Sequence, residues 1–254
     1  MNLPANPFLA AIRAGKPQIG LWCSLGNAFS AEIIAGAGYD WVLIDMEHSP
    51  NDLASVTAQL QVFASFDTTP IVRPDWNDAV KVKRLLDAGA PGLLFPMVQS
   101  VDEAQSAVAA TRYPPRGIRG VAGTTRANQF GRIPDYFLRI EEETAVLIQA
   151  ETLTALAQAE AMADIDGVDG VFFGPADIAA DMGLLGQPMH DDVWAAILPA
   201  AQRLIDKGIP VGTLVMDPIF AKNLLAEGFT FVACGSDAGL LARSSDALLA
   251  SMKD

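Results

Sequence analysis

Short apolar runs, many of them β-branched, recur along the chain, separated by longer stretches in which apolar residues return every three or four positions. Eight runs stand out: IGLWCS (19–24), WVLID (41–45), PIVR (70–73), GLLFP (92–96), AVLIQ (145–149), GVFFG (170–174), PVGTL (210–214) and FTFVACG (229–235). Runs this short suit strands, and the spacing between them suits amphipathic helices. Leu53, Val56 and Leu60 follow SPND, and Val80, Leu85 and Leu86 follow NDA. Asn77 and Ser236 are expected to cap helix N-termini, while Gly38, Gly89, Gly208 and Gly228 stand where helices should stop. Eight strands alternating with helices predict a (β/α)8 TIM barrel of the α/β class, a fold that typically uses about 250 residues. Residues 1–254 are read as one such domain. An open doubly wound sheet is the alternative, but LWCSLGNAFS after the first run lacks the glycine-rich phosphate turn of that fold.

Composition narrows the range of functions. A formal net charge of −13 repels phosphate backbones and acidic membrane surfaces, which argues against nucleic acid or membrane partners. No apolar run reaches the roughly 18–20 residues that span a bilayer, and MNLPANPFLAAIRAGK lacks a signal-peptide pattern, so a cytoplasmic protein is expected. Cys23 and Cys234 lie far apart in sequence on predicted strands, which fits packing in a reduced compartment. Six of the eleven arginines, at 112, 116, 119, 126, 132 and 139, crowd one segment. They either pair with the acidic excess or a neighbouring subunit, or recruit an anionic substrate.

In a barrel, chemistry collects where strands end at the C-terminal face. Strand two ends in Asp45, Glu47 and His48, strand three in Arg73, strand five in Gln149 and Glu151, and strand six in Gly174, Pro175, Ala176 and Asp177. Adjacent strands lie about 4.8 Å apart, so Glu151 and Asp177 are placed to share one ion. A hard divalent cation needs only one or two carboxylates, with water and substrate oxygens completing its shell. Either acid alone would equally suit a helix cap. With two histidines in the chain zinc fits poorly, and His190 falls in a predicted surface turn, leaving His48 as the candidate base. Arg73 suits a carboxylate or developing oxyanion, or a salt bridge to Asp45 or Glu47. All six lysines fall before strand one, on predicted helices or in the tail, so a Schiff-base mechanism lacks its nucleophile and carbonyl activation falls to a metal.

The motifs LIDMEHSPND, PIVRPDWND, LLDAGAPGLLFPMV, YPPRGIRGVAGTTRANQFG, IQAET, GVFFGPADIA and FVACGSDAGLLAR, in this order over nearly the whole chain, resemble the HpcH/HpaI family of metal-dependent pyruvate aldolases. The resemblance implies a barrel of the phosphoenolpyruvate/pyruvate-domain type, commonly assembled as a hexamer of two trimers. It implies Mg2+ or Mn2+, with Co2+ as a further option, on Glu151 and Asp177. His48 would be the base, supported by Asp45, and Arg73 would stabilise the transition state. Gln149 would contact pyruvate, with Gly174, Pro175, Ala176, Asp177 and Arg73 completing the substrate site and the Ala176 backbone donating to the carboxylate. Asp87 matches an acid that makes the histidine more basic. It falls about a dozen residues, or roughly 18 Å, from the start of its helix, on the far face of its own barrel, and so would reach a histidine only across a subunit interface.

The expected reaction is reversible cleavage of a 4-hydroxy-2-oxo acid to pyruvate, or a related 2-oxo acid such as hydroxypyruvate, and an aldehyde through a metal-stabilised enolate. A citrate-lyase-like or malyl-CoA-type lyase on the same barrel is the rival enzyme, and a noncatalytic 2-oxo acid binder the rival of another class.

Overall fold

The computed structural model describes residues 1–253. Its strands are β1 (Gln18–Cys23), β2 (Trp41–Asp45), β3 (Thr69–Arg73), β4 (Gly92–Phe95), β5 (Ala145–Ala150), β6 (Gly170–Phe173), β7 (Val211–Val215) and β8 (Phe231–Ser236). Each pairs in parallel with the next, and β8 closes on β1. The helices are α1 (Pro7–Arg13), α2 (Ala28–Ala35), α3 (Leu53–Phe63), α4 (Ala79–Ala88), α5 (Val101–Thr111), α6 (Tyr136–Arg139), α7 (Leu153–Ala163), α8 (Pro175–Asp181), α9 (Asp191–Asp206), α10 (Pro218–Ala226) and α11 (Asp237–Ser251). The fold is a (β/α)8 barrel, with all eight apolar runs in its staves.

The runs are continuously apolar because both faces of each strand are covered. Along β2, Trp41 and Leu43 belong to the barrel interior with Trp22, Ile71, Leu94, Leu147, Phe172 and Phe231, while Val42 and Ile44 join the larger core beneath the helices. Two glycines make room for the interior rings. A Cβ at Gly20 would lie 2.3 Å from Trp41, and one at Gly212 would lie 2.2 Å from Phe231. The interior is closed from below by α1, which precedes the predicted strands and carries no expectation from the sequence reading. Its Phe8 packs at 5.5 Å from Trp41 and 5.8 Å, edge-on, from Phe231. Asn6 caps this helix and also binds the carbonyl oxygens of Pro91 and Glu143, pinning the plug to the barrel floor.

Capping follows the sequence with one correction. Ser236 caps α11, and Gly89, at φ 94°, stops α4. The α4 N-cap is Asp78 rather than Asn77, whose amide instead donates to the Glu103 carbonyl, because the Asp78 carboxylate accepts from both Val80 and Lys81. The arginine-rich segment is built largely into the barrel's periphery. Arg112 and Arg116 pair with Glu141 and Asp166, Arg119 with Asp87, and Arg139 with Asp135. Arg126 donates to the carbonyls of Ala88 and Leu60, joining the ends of α3 and α4. These contacts support the pairing alternative over recruitment of substrate.

One helix departs from the ring. Over sixteen residues α9 buries six side chains, among them Val193, Trp194, Ile197 and Leu204. Over fifteen residues α11 buries only Asp237, at its start, and leaves Leu240, Leu241, Leu248 and Leu249 exposed. No helix among the described residues is long and apolar enough to cross a membrane.

If α1 is the floor of the core, Phe8→Ala should cost about 3–5 kcal/mol, the usual range for deleting a buried ring. Urea unfolding followed by tryptophan fluorescence would measure it, since Trp41 lies against the missing ring.

Candidate active site

Asp45 and Arg73 are partners across the β2–β3 ladder, which sets an acid and a base side by side at the barrel mouth. The guanidinium Nε donates to Asp45 Oδ1 and Nη2 to Oδ2, each at 2.9 Å, a two-pronged pair with both side chains buried. Nη1 lies 2.9 Å from Glu47 Oε2, and the guanidinium carbon stands 5.3 Å from the centre of the Trp22 ring. Both salt bridges weighed for Arg73 are therefore present, and they hold it rigid at the pocket wall.

The same Asp45 shapes the turn that carries His48. Its Oδ1 accepts from the backbone N–H of Glu47 at 3.0 Å and of His48 at 3.5 Å. Its carbonyl accepts from Ser49 Oγ and Asn51 Nδ2, and Asn51 is braced in turn by Gln59. Asp45 thus meets His48 through the backbone rather than the ring. The imidazole is 67% exposed, and Glu47 Oε2 stands 4.0 Å from its Nε2. Burial pushes the Glu47 carboxyl up, Arg73 and His48 pull it down, and Asp45 and Asp177 add to the rise.

Across the mouth, Glu151 follows β5 and Asp177 sits in the first turn of α8, after the neighbouring β6. Glu151 is 2% exposed. Its Oε1 accepts from the backbone N–H of Met97 at 2.7 Å, and its Oε2 accepts from Gln149 Nε2. Burial is the main reason its carboxyl rises from the ordinary 4.5 to about 7, with repulsion from Asp177 and Glu47 adding to it and the Met97 bond opposing it. Gly174 allows this approach, because a Cβ there would stand 2.8 Å from Glu151 Oε2.

These donors fit a hard divalent cation. Gln149 Oε1 is buried without a hydrogen-bond donor, and the one guanidinium at the mouth is engaged by Asp45 and Glu47, while Glu151 and Asp177, within electrostatic range of each other and of Glu47, have no cation of their own among the described residues. An ion that brings two positive charges and keeps water or substrate oxygens needs no more than the two acids. No group of three or more His, Cys, Asp or Glu side chains arranged for a metal occurs among the described residues.

The remaining candidates lie elsewhere. Asp87 is in the last turn of α4, opposite the mouth, bound to Arg119. His190 caps α9 with its Nδ1, accepting from Asp192. Two contributors escaped the sequence reading. Met97 takes φ 52°, a left-handed conformation that costs a β-carbon residue about 1–2 kcal/mol, and so turns its N–H toward Glu151; nothing in FPMVQS marks it. Asp237, buried after β8, accepts from Ser24 and Leu25 and fastens the LGNAF loop to the mouth. Reading the end of strand eight as the others were read would have found it.

The profile of the HpcH/HpaI aldolase/citrate lyase family matches residues 18–244. A pyruvate aldolase of Rhizobium etli is 53% identical over 250 residues, covering 98% of both chains. A 4-hydroxy-2-oxo-heptane-1,7-dioate aldolase of Salmonella dublin is 52% identical over 96% of this chain and 94% of its own. The crystal structure of an HpcH/HpaI aldolase/citrate lyase family protein from Burkholderia cenocepacia superposes with a TM-score of 0.95 at 37% identity, covering 98% of this chain and all of the other.

Glu151 gives a pH test of the ion. Between pH 4.5 and about 7 the folded chain keeps a proton that the unfolded chain has released, so this group's contribution to stability falls as pH rises through that window. A cation held by Glu151 would bind its ionised form, so the gain in melting temperature on adding Mn2+ should be small at about pH 5.5 and several degrees at about pH 7.5. Glu151→Gln should abolish the gain at both. Equal gains at the two pH values would separate this acid from the ion.

Proposed function

The chain belongs to the HpcH/HpaI aldolase/citrate lyase family and is an aldolase, and we propose that it reversibly cleaves 4-hydroxy-2-oxo acids to pyruvate, or a related 2-oxo acid such as hydroxypyruvate, and an aldehyde. The observation that carries this reading is the buried Glu151 carboxylate, within electrostatic reach of Asp177 and across the mouth from the clamped Arg73. Glu151 and Asp177 would hold Mg2+ or Mn2+, with Co2+ as a further option. Such an ion supplies a Lewis acid for the 2-oxo group.

The protein's own groups account for the rest of the cleavage. His48 takes the proton of the C4 hydroxyl, the C4–O bond becomes the aldehyde carbonyl, and the C3–C4 bonding pair moves into the enolate. The same proton, or one exchanged from water, then returns to C3 to give the methyl group of pyruvate. Arg73, immobilised by Asp45 and Glu47, presents a fixed charge to the enolate oxygen without reorganising during the reaction, the arrangement in which electrostatic stabilisation is most effective. Gln149 offers a buried, unpaired oxygen to a water or a substrate hydroxyl, either of which can donate to it, and the N–H of Ala176, at the start of α8 where no side chain caps the helix, suits the substrate carboxylate. Pro175 fixes that first turn, and Gly174 keeps it close to Glu151.

The uncovered leucines of α11 and the absence of an acid partner for the His48 ring within hydrogen-bonding distance both favour a homo-oligomer, with trimers and hexamers as the expected forms. A role in aromatic or sugar acid catabolism fits the cytoplasm.

In deuterated water with Mn2+, pyruvate should exchange its methyl protons in the presence of the protein, as followed by NMR; a passive binder would leave them unexchanged. His48→Ala should lower cleavage of 4-hydroxy-2-oxo acids by about 100-fold or more, the scale of a lost general base, while Mn2+ affinity by calorimetry stays within a few-fold. Undiminished turnover in that variant would assign the base elsewhere. Light scattering should find an oligomer that Leu248→Asp with Leu249→Asp reduces to smaller species.

A further inference from the structure

We infer that Arg119 is a positioning residue for the aldol reaction, holding the Asp87 carboxylate in place to serve the imidazole of His48 in a second copy of the chain. The inference rests on the reading of the protein as an aldolase with His48 as base and Asp87 acting in trans.

A catalytic imidazole needs a third group to fix its orientation and tautomer. Within one chain His48 has none within hydrogen-bonding distance. Asp45 is spent on Arg73 and on backbone N–H groups, and Glu47 lies 4.0 Å away and is engaged by Arg73. A second copy of the chain would have to supply such an acid.

Asp87 has the properties of a group prepared for such service. It occupies the last turn of α4, the negative end of the helix, where a cation is favoured and an acid is disfavoured. What offsets this is Arg119, whose side chain is wholly buried and whose Nη2 donates to Asp87 Oδ1 at 2.9 Å. The guanidinium is stacked 4.6 Å from the Tyr113 ring and lies 3.4 Å from the Tyr136 hydroxyl. Burying an arginine for the sake of one carboxylate oxygen is an expensive way to gain stability, since an apolar pair of the same size would do as well or better. The arrangement makes sense if the carboxylate itself must be kept ionised and still.

The other oxygen of Asp87 makes no hydrogen bond within the described residues, and the side chain is 24% exposed. Ile118 and Val121, which flank Arg119 and Gly120 in sequence, are exposed at 65% and 66%, apolar side chains that another copy could cover. The other charged groups nearby are accounted for. Arg126 is turned to the carbonyls of Ala88 and Leu60, Lys83 lies along Gly120, and Arg84 is on the same helix. Only Arg119 holds the carboxylate.

The test is the pH dependence of kcat/KM for retro-aldol cleavage in Asp87→Asn, Arg119→Met, Arg119→Lys and the Asp87→Asn/Arg119→Met double variant, each checked for unchanged assembly mass. A carboxylate beside the imidazole raises its basicity, so Asp87→Asn should move the acidic limb to lower pH and lower the plateau by about tenfold or more. Arg119→Met should move both in the same direction, Arg119→Lys should recover part of the loss, and the double variant should match Asp87→Asn within about twofold. Losses that multiply in the double variant, or an Arg119→Met profile like the wild type's beside an altered Asp87→Asn, would overturn the role of Arg119 alone. An Asp87→Asn profile identical to wild type would remove the acid in trans, and the inference with it. If Arg119→Met does not assemble, Arg119→Lys with and without Asp87→Asn completes the same cycle. Mixing His48→Ala chains with Asp87→Asn chains separates the two failures: hybrid assemblies regain activity if the acid works across the interface, whatever holds it.

Discussion

The site depends on negative charge that the barrel gathers at its mouth and does not neutralise by itself. Asp45, Glu47, Glu151 and Asp177 converge on a rim with one guanidinium, and the two partly or wholly buried glutamates respond by holding their protons more tightly than free carboxyls do. Burial makes this imbalance costly, because the same charges in water would be screened. The arrangement is therefore poised for a multivalent cation. The local features around it serve proximity: glycine at 174 where any Cβ would collide, a left-handed Met97 directing its N–H inward, and a buried amide beneath Glu151.

Much of this was legible in the residues because parallel barrels impose simple rules. A strand buried on both faces must be apolar throughout, so WVLI could only be a stave, and the charged residues after it had to emerge where the loops gather. Ladder register then brought Asp45 beside Arg73, and β5 beside β6 brought Glu151 near Asp177. What could not be read has equally physical causes. The plug helix α1 is about two turns of PFLAAIR, too short to show a period, and its value lies in filling a void whose shape only the closed barrel defines. Met97 adopts a backbone conformation that its side chain disfavours, so no residue preference announces it. Asn77 and Asp78 are adjacent capping residues, and the choice between them is made by geometry.

The arginine-rich segment shows how function can be mislaid when charge is counted without partners. Six guanidiniums in one stretch of an acidic protein suggest a docking place for anions, yet Arg112, Arg116, Arg119 and Arg139 are engaged by carboxylates and Arg126 ties two helix ends together. The segment is a brace for the side of the barrel. In one pair of the brace, Arg119 with Asp87, the arginine is wholly buried while the acid remains 24% exposed.

The bare apolar side of α11 has a consequence for the life of the protein in the cell. A newly made chain that has closed its barrel still displays four leucines in a row of helical turns, the kind of surface that chaperones and proteases recognise. If copies of the chain cover one another at this helix, an isolated copy is folded but unprotected, and abundance should then depend on synthesis rate more steeply than linearly: sparse chains are cleared before they pair, and plentiful ones persist.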